Sequence, residues 1–202
     1  MRSRSLICTA VAVLWLSGTG FGLSRLWVYE SSPGEAARHR IDWPAGCAVP
    51  RPTDRCTLLM FAHPHCPCTR ASLAELQWVV TRAPGRAAAF VCFFAPEASP
   101  PDWEKTPLWD AAAALPGVSP RRDEGGRLAR LYGARTSGQV FVYDPEGRLV
   151  YSGGITAARG HPGDNAGREA VLSLLNGSPA RRTDVPVFGC PLNDPGPDDE
   201  EG

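Results

Sequence analysis

The stretch Thr57-Leu58-Leu59-Met60-Phe61-Ala62-His63-Pro64-His65-Cys66-Pro67-Cys68-Thr69-Arg70 decides the fold. Its first six residues form a short continuous apolar run, the pattern of a strand covered on both faces in a mostly parallel sheet. His63 to Cys68 then makes a tight connection. From Thr69 the apolar residues Leu73, Leu76 and Val80 recur at helical spacing until Pro84-Gly85 breaks the pattern. A second apolar run, Ala87 to Phe94, supplies another buried strand. Strand, helix and strand in this order predict a right-handed crossover joining two parallel strands.

Downstream, Pro96 to Pro107 reads as a Pro-rich loop, and Leu108–Leu115 and Arg127–Tyr132 as short helices, the latter closed by Gly133. Gln139–Tyr143 and Arg148–Ser152 flank Asp144-Pro145-Glu146-Gly147, whose Pro and Gly stand where a turn favours them, so a β-hairpin is expected. A last helix is expected over Asn165–Leu175, capped by Asp164 or Asn165 and followed by Gly177. These elements predict an α/β domain: a central mixed sheet flanked by helices.

The N-terminus carries Arg2 and Arg4 before an uncharged run from Leu6 to Leu23, about 27 Å as a helix. Residues 1–30 therefore predict a signal anchor that spans a bilayer once, N-terminus in the cytoplasm, with Trp27 and Tyr29 at the far interface. A cleaved signal peptide is the competing reading, and both export the rest of the chain. Residues 31–56, rich in Pro and Gly, suit a linker; 57–192 form the domain; 193–202 suit a disordered acidic tail. Lys plus Arg and Asp plus Glu each total 21, which leaves no basic excess to hold phosphate backbones and argues against a nucleic-acid partner.

Export places six of the seven cysteines where disulfides persist. Cys8 belongs to the span, and Cys92, inside an apolar run, reads as a core thiol. Cys47 and Cys56 are expected to form a structural loop disulfide. Cys66 and Cys68 stand at a helix N-terminus, where unpaired N–H groups and the helix dipole favour the thiolate. His63 and His65, if protonated, would favour it further, and Pro67 restricts the backbone between the thiols. Residues two apart bridge only through a bend and a strained ring, which predicts a readily reduced disulfide. Cys66 and Cys68 could instead bridge to Cys47, Cys56 or Cys190. Cys190 is either a free thiol or the resolving partner of the site.

This order of elements, with an aromatic shortly before the cysteines and Arg70 after them, resembles the thioredoxin superfamily, in particular its membrane-tethered extracytoplasmic branch of TlpA and ResA type. The resemblance covers about Thr57 to Leu175. The second cysteine is displaced: Thr69 occupies its usual place and Cys68 stands one residue earlier. The segments Thr136-Ser137-Gly138, Gly153-Gly154-Ile155-Thr156 and Phe188-Gly189-Cys190-Pro191-Leu192 look closest to RedB-like proteins. The resemblance implies a thioredoxin fold after one transmembrane helix in the bacterial inner membrane, and thiol-disulfide exchange with extracytoplasmic protein thiols or disulfides, without a bound cofactor. It puts Ser137 and Gly138 beside the thiols, with Gly138 in the place of a cis-proline, and Gly153 to Ile155 and the loop with Arg159 and His161 next to them. The alternative function is a Cu(I) or Zn module using His63, His65, Cys66 and Cys68, a soft donor set that suits copper or zinc.

Overall fold

The computed structural model describes residues 2–37, 43–44 and 46–192; the acidic tail expected at 193–202 lies outside the described residues. It divides into two compact units, 1–32 and 33–202. The first is helix α1, Arg2–Ser31, which runs past the end of the uncharged stretch. Its part from Leu6 to Ser31, 26 residues, is long and apolar enough to cross a membrane.

The second unit contains β1 (Cys56–Ala62), α2 (Cys68–Arg82), β2 (Ala87–Ala95), α3 (Pro107–Ala113), β3 (Val118–Glu124), α4 (Arg127–Tyr132), β4 (Gln139–Tyr143), β5 (Leu149–Gly153), α5 (Ala166–Leu175) and β6 (Asp184–Val185). Among the described residues these strands form one sheet of order β3-β2-β1-β4-β5-β6. β1 pairs parallel with β2 and antiparallel with β4, and β4 pairs antiparallel with β5. The β1-α2-β2 crossover joined to the β4-β5 hairpin and α5 is the predicted thioredoxin arrangement. In the hairpin turn Gly147 N–H donates to the Asp144 carbonyl at 2.9 Å, and Gly147 takes φ +88°, a conformation that glycine adopts without strain. Asn165 caps α5, its side chain accepting from Arg168 N–H at 2.8 Å.

Strand alternation sorts the core onto two faces. Leu58, Met60, Val91, Phe93, Val140 and Val142 face Leu73, Leu76 and Val79 of α2 and Val171 and Leu175 of α5. Leu59, Phe61, Phe90, Cys92, Phe141 and Tyr143 face Ala129 and Tyr132 of α4. Cys92 is the core thiol expected, and burial pushes its pKa far up.

Three features differ from the sequence expectation. Strands β3 and β6 lie outside the predicted elements; β3 pairs parallel with β2 at the sheet edge, where its Pro120 and charged residues are tolerated. In the stretch expected as a linker, Gly34, Trp43 and Val49 pack on the domain. Trp43 meets Tyr132 and Tyr143 edge-on at 5.6 and 4.9 Å between ring centroids, Val49 is buried, and Gly34 N–H donates to the Val187 carbonyl at 2.8 Å. The third is a correction: Cys47 and Cys56 are not bridged. Cys47 lies on the α4 face, 3.1 Å from the Tyr132 hydroxyl, whereas Cys56 packs against the α2 and α5 face, so the sheet separates their surroundings.

Candidate functional site: three thiols at the start of α2

After β1 the chain turns sharply, Cys66 N–H donating to the His63 carbonyl at 3.1 Å. Pro67 holds the N-cap position of α2 with φ −63° and offers no side-chain cap; Thr69 N–H donates to the Cys66 carbonyl at 3.1 Å and Arg70 N–H to the Pro67 carbonyl at 3.4 Å. Cys66 and Cys68 are both buried, at 3% and 6% exposure. Thr106, which caps α3, donates its hydroxyl to the Pro64 carbonyl at 3.1 Å and ties this turn to the neighbouring helix.

The chain returns to the site after β6. Ser137 N–H donates to the Cys190 carbonyl at 2.8 Å, which sets Cys190 Sγ 3.0 Å from Cys66 Sγ. The Sγ atoms of Cys66, Cys68 and Cys190 lie within 4.8 Å of one another. All three are free thiols, so Cys66 and Cys68 are near but not bonded.

The three thiols differ in acidity. Burial opposes ionisation of Cys66, but hydrogen bonds from the Cys190 thiol and from the backbone N–H groups of Cys190, Cys68 and Thr69 outweigh it and hold its pKa below the usual value. Cys68 is raised by burial and by the negative charge and hydrogen bonding of Cys66, against an opposing pull from Arg159. Cys190 is pushed up to about 12 by burial and by the same effects of Cys66. The site therefore favours one thiolate, on Cys66.

Ser137 and Gly138 lie in the loop that opens β4. The Ser137 hydroxyl accepts from His63 N–H at 2.9 Å, and Gly138 N–H donates to the Phe61 carbonyl at 2.7 Å. Gly138 takes φ +93°, and a Cβ there would stand 2.8 Å from Ser72 Oγ on α2. Among the described residues no peptide bond is cis; close approach of this loop to α2 rests on glycine.

The histidine rings pack against aromatic side chains. The His63 ring stacks on Phe94 at 5.6 Å and His65 meets Trp103 edge-on at 4.7 Å, while His65 N–H donates to His63 Nδ1 at 3.2 Å. Two aromatic side chains from β2 and the following loop thus set the ring positions. The expected donor set of two histidines and two cysteines is not gathered: among the described residues the cluster of ligand atoms is Cys66, Cys68 and Cys190.

Arg159 does reach the site. Its guanidinium donates to the Gly189 carbonyl, and its charge favours the thiolates of Cys68 and Cys190. His161 is exposed and contacts the Arg159 carbonyl at 3.0 Å. Gly153 and Gly154 lie against Val185–Val187, where any Cβ would collide with backbone, and so make room for the segment leading to Cys190.

Thr69 joins these residues without carrying a sequence signature of its own. It donates to the His63 carbonyl at 3.0 Å and lies 3.0 Å from Ser137 Oγ. Its one signal is its position, where the resemblance places a second cysteine.

No family model matches the chain, and no curated protein matches it. Solved structures do. A hypothetical protein of Sinorhizobium meliloti is 24% identical with TM-score 0.58, covering 80% of this chain and 93% of its own. An uncharacterized conserved protein of Geobacillus kaustophilus is 21% identical with TM-score 0.57, covering 82% and 93%. An exposed lipoprotein thioredoxin of Streptococcus pneumoniae is 21% identical with TM-score 0.45, covering 61% and 84%. At these identities the first two likenesses are of fold alone. The chain has a thioredoxin fold, preceded by an apolar helix, with three thiols gathered at the start of its first domain helix.

Proposed function

We propose that the protein is a membrane-tethered extracytoplasmic thiol-disulfide oxidoreductase that exchanges through the thiols gathered around Cys66. The observation that carries this reading is the Cys66 thiol: it sits at the N-terminus of α2, hydrogen bonds favour its thiolate, and a second thiol stands 3.0 Å away. A partner disulfide is reduced when one protein thiolate attacks it, a mixed disulfide forms, and a neighbouring protein thiol releases the partner and closes an intramolecular disulfide. Cys68 in the Cys-Pro-Cys turn and Cys190 are the two candidates to close it. The same steps run backward oxidise a partner dithiol, and no bound cofactor is needed. The partners are extracytoplasmic protein thiols or disulfides. α1 tethers the domain to the inner membrane, with Arg2 and Arg4 keeping the N-terminus inside. Kinship with RedB-like proteins fits the placement of Ser137-Gly138 and of Gly189-Cys190-Pro191, which pair beside the thiols.

Equilibration of the full chain in detergent with glutathione buffers tests the reading. Reversible pairing of Cys66 with Cys68 or Cys190 above about −250 mV supports it, since structural disulfides lie below about −300 mV. Thiols that never pair would defeat it.

The triad of sulfurs also suits a second function, binding of Cu(I) or Zn by Cys66, Cys68 and Cys190, three soft donors within 4.8 Å. Titration of the reduced chain with Cu(I) decides it: one tight equivalent that protects all three thiols from alkylation is expected, and unprotected thiols would remove it.

A further inference from the structure

From Gly189 to Leu192 the chain runs antiparallel to Arg135–Ser137. Ser137 N–H donates to the Cys190 carbonyl and Leu192 N–H donates to the Arg135 carbonyl, both at 2.8 Å, and Thr136 pairs with Pro191 between them. Gly189 lies so close that a Cβ would stand 1.9 Å from the Ser137 carbonyl oxygen. Beyond Cys190, Leu192 is 1% exposed and sunk among Phe61, Phe141 and Tyr132 on the α4 face. Main-chain bonds and an apolar anchor thus fix Cys190 over Cys66.

This placement orders the sulfurs by access. Cys66 and Cys68 are buried, whereas Cys190 is partly exposed. A thiolate attacks a disulfide sulfur, and the other sulfur leaves; exchange is faster when the leaving thiol is the more acidic one. Attack at Cys66 would have to reach a covered atom and expel Cys190, which has no backbone N–H groups of a helix start to favour its thiolate. Attack at Cys190 meets the open sulfur and expels Cys66, whose thiolate the helix start already favours.

We propose that the oxidised protein carries a Cys66–Cys190 disulfide and that Cys190 is its partner-facing sulfur, with Cys66 as the leaving group. This rests on the thiol-exchange function above and inverts the roles expected from the Cys66-Pro67-Cys68 motif. A partner thiolate bonds to Cys190 Sγ, and the Cys66–Cys190 bond breaks with its electron pair on Cys66. A second thiol of the same partner then attacks the partner sulfur of the mixed disulfide and releases Cys190, which takes up a proton. The partner dithiol is oxidised to a disulfide and the protein disulfide is reduced by two electrons. The protons lost by the partner go to the protein thiols or to solvent. The substrate class is therefore a protein dithiol whose first thiol reaches Cys190 without adding a strand at Arg135–Ser137, because the protein's own segment occupies that edge.

The test uses the oxidised full chain in detergent, glutathione as the attacking thiol, and a rapid quench with N-ethylmaleimide before peptide mapping. The expected early product carries glutathione on Cys190 and maleimide on Cys66, at least about tenfold over the reverse, because Cys190 is the open sulfur and the helix start favours Cys66 as the leaving thiolate. Glutathione on Cys66 with maleimide on Cys190, or an oxidised chain bridged between Cys66 and Cys68, overturns the inference and leaves the oxidoreductase function standing. An oxidised chain that glutathione neither modifies nor reduces overturns both.

Discussion

The Thr69 and Ser137 hydroxyls lie 3.0 Å apart, both buried, and connect the first turn of α2 to the loop that opens β4. Through them two elements 68 residues apart in sequence close on the backbone of His63, whose N–H donates to Ser137 and whose carbonyl accepts from Thr69. The position of the cysteine turn thus depends on side chains that carry no redox chemistry.

Ser137→Ala removes the acceptor of His63 N–H and leaves that donor unsatisfied in a part-buried place. A buried donor without a partner costs about 1–3 kcal/mol, so denaturant unfolding of the variant should show a loss of stability in that range with an unchanged m-value. A change below a few tenths of a kcal/mol would mean that water replaces the hydroxyl.

The acidity of Cys66 is open to direct measurement. The thiolate is the form that alkylates, and a lowered pKa keeps it populated to lower pH. In the reduced chain, iodoacetamide labelling of Cys66 should fall off with decreasing pH through a midpoint below that of an ordinary thiol. Cys190 and Cys68, both raised, should label only at higher pH. Identical profiles for the three would refute the assignment of the thiolate to Cys66.

Gly138→Ala should destabilise the domain by about 1–3 kcal/mol, the usual cost of holding a residue with a Cβ in a sparsely populated backbone region. Its φ of +93° is unfavourable for alanine, and the new Cβ would meet Ser72 Oγ at 2.8 Å. The double variant with Ser72→Ala relieves the contact but not the dihedral, so it should recover only part of the loss. Full recovery would show that crowding alone makes glycine necessary.

The sequence makes the frame of this site legible and its closure illegible, for physical reasons. The apolar run to Ala62, the breaker after α2, the Asp144-Pro145-Glu146-Gly147 turn and the Asn165 cap are local signals, and β1, α2, the hairpin and α5 stand where those signals put them. Strand β3 carries no such signal, because an edge strand paired on one side can hold Pro120, Arg121 and Arg122. Cys190 could be marked as a candidate, but its contact with Cys66 spans 124 residues and depends on pairing with Ser137. His63 and His65 have the residue types of metal ligands, and Phe94 and Trp103 decide where their rings lie. Cys47 and Cys56 look like a pair by spacing alone, and the sheet between their surroundings was the missing fact.

Arg159 should hold down the pKa of Cys68, whose thiolate its positive charge favours against the effects of burial and of Cys66. Arg159→Gln should therefore move iodoacetamide labelling of Cys68 to still higher pH, while labelling of Cys66, whose low pKa rests on hydrogen bonds from Cys190, Cys68 and Thr69, keeps its midpoint. An unchanged profile for Cys68 would show that Arg159 acts only through its hydrogen bond to the Gly189 carbonyl.

The loop that carries Arg159 is held from α2 and α5. Glu75 and Arg168 form a buried ion pair at 3.0 Å, with side-chain exposures of 3% and 6%, and the other Glu75 oxygen accepts from Gly163 N–H. The Arg168 guanidinium carbon also lies 3.9 Å from the centroid of the Trp78 ring. Removing one member of such a pair leaves the other charged in a covered site, at a cost of about 3–5 kcal/mol. Arg168→Met should lose stability in that range, and the double variant Glu75→Gln with Arg168→Met should lose less than the sum of the two single changes. Additive losses would mean that the two residues stabilise the loop independently, Glu75 through Gly163 and Arg168 through Trp78.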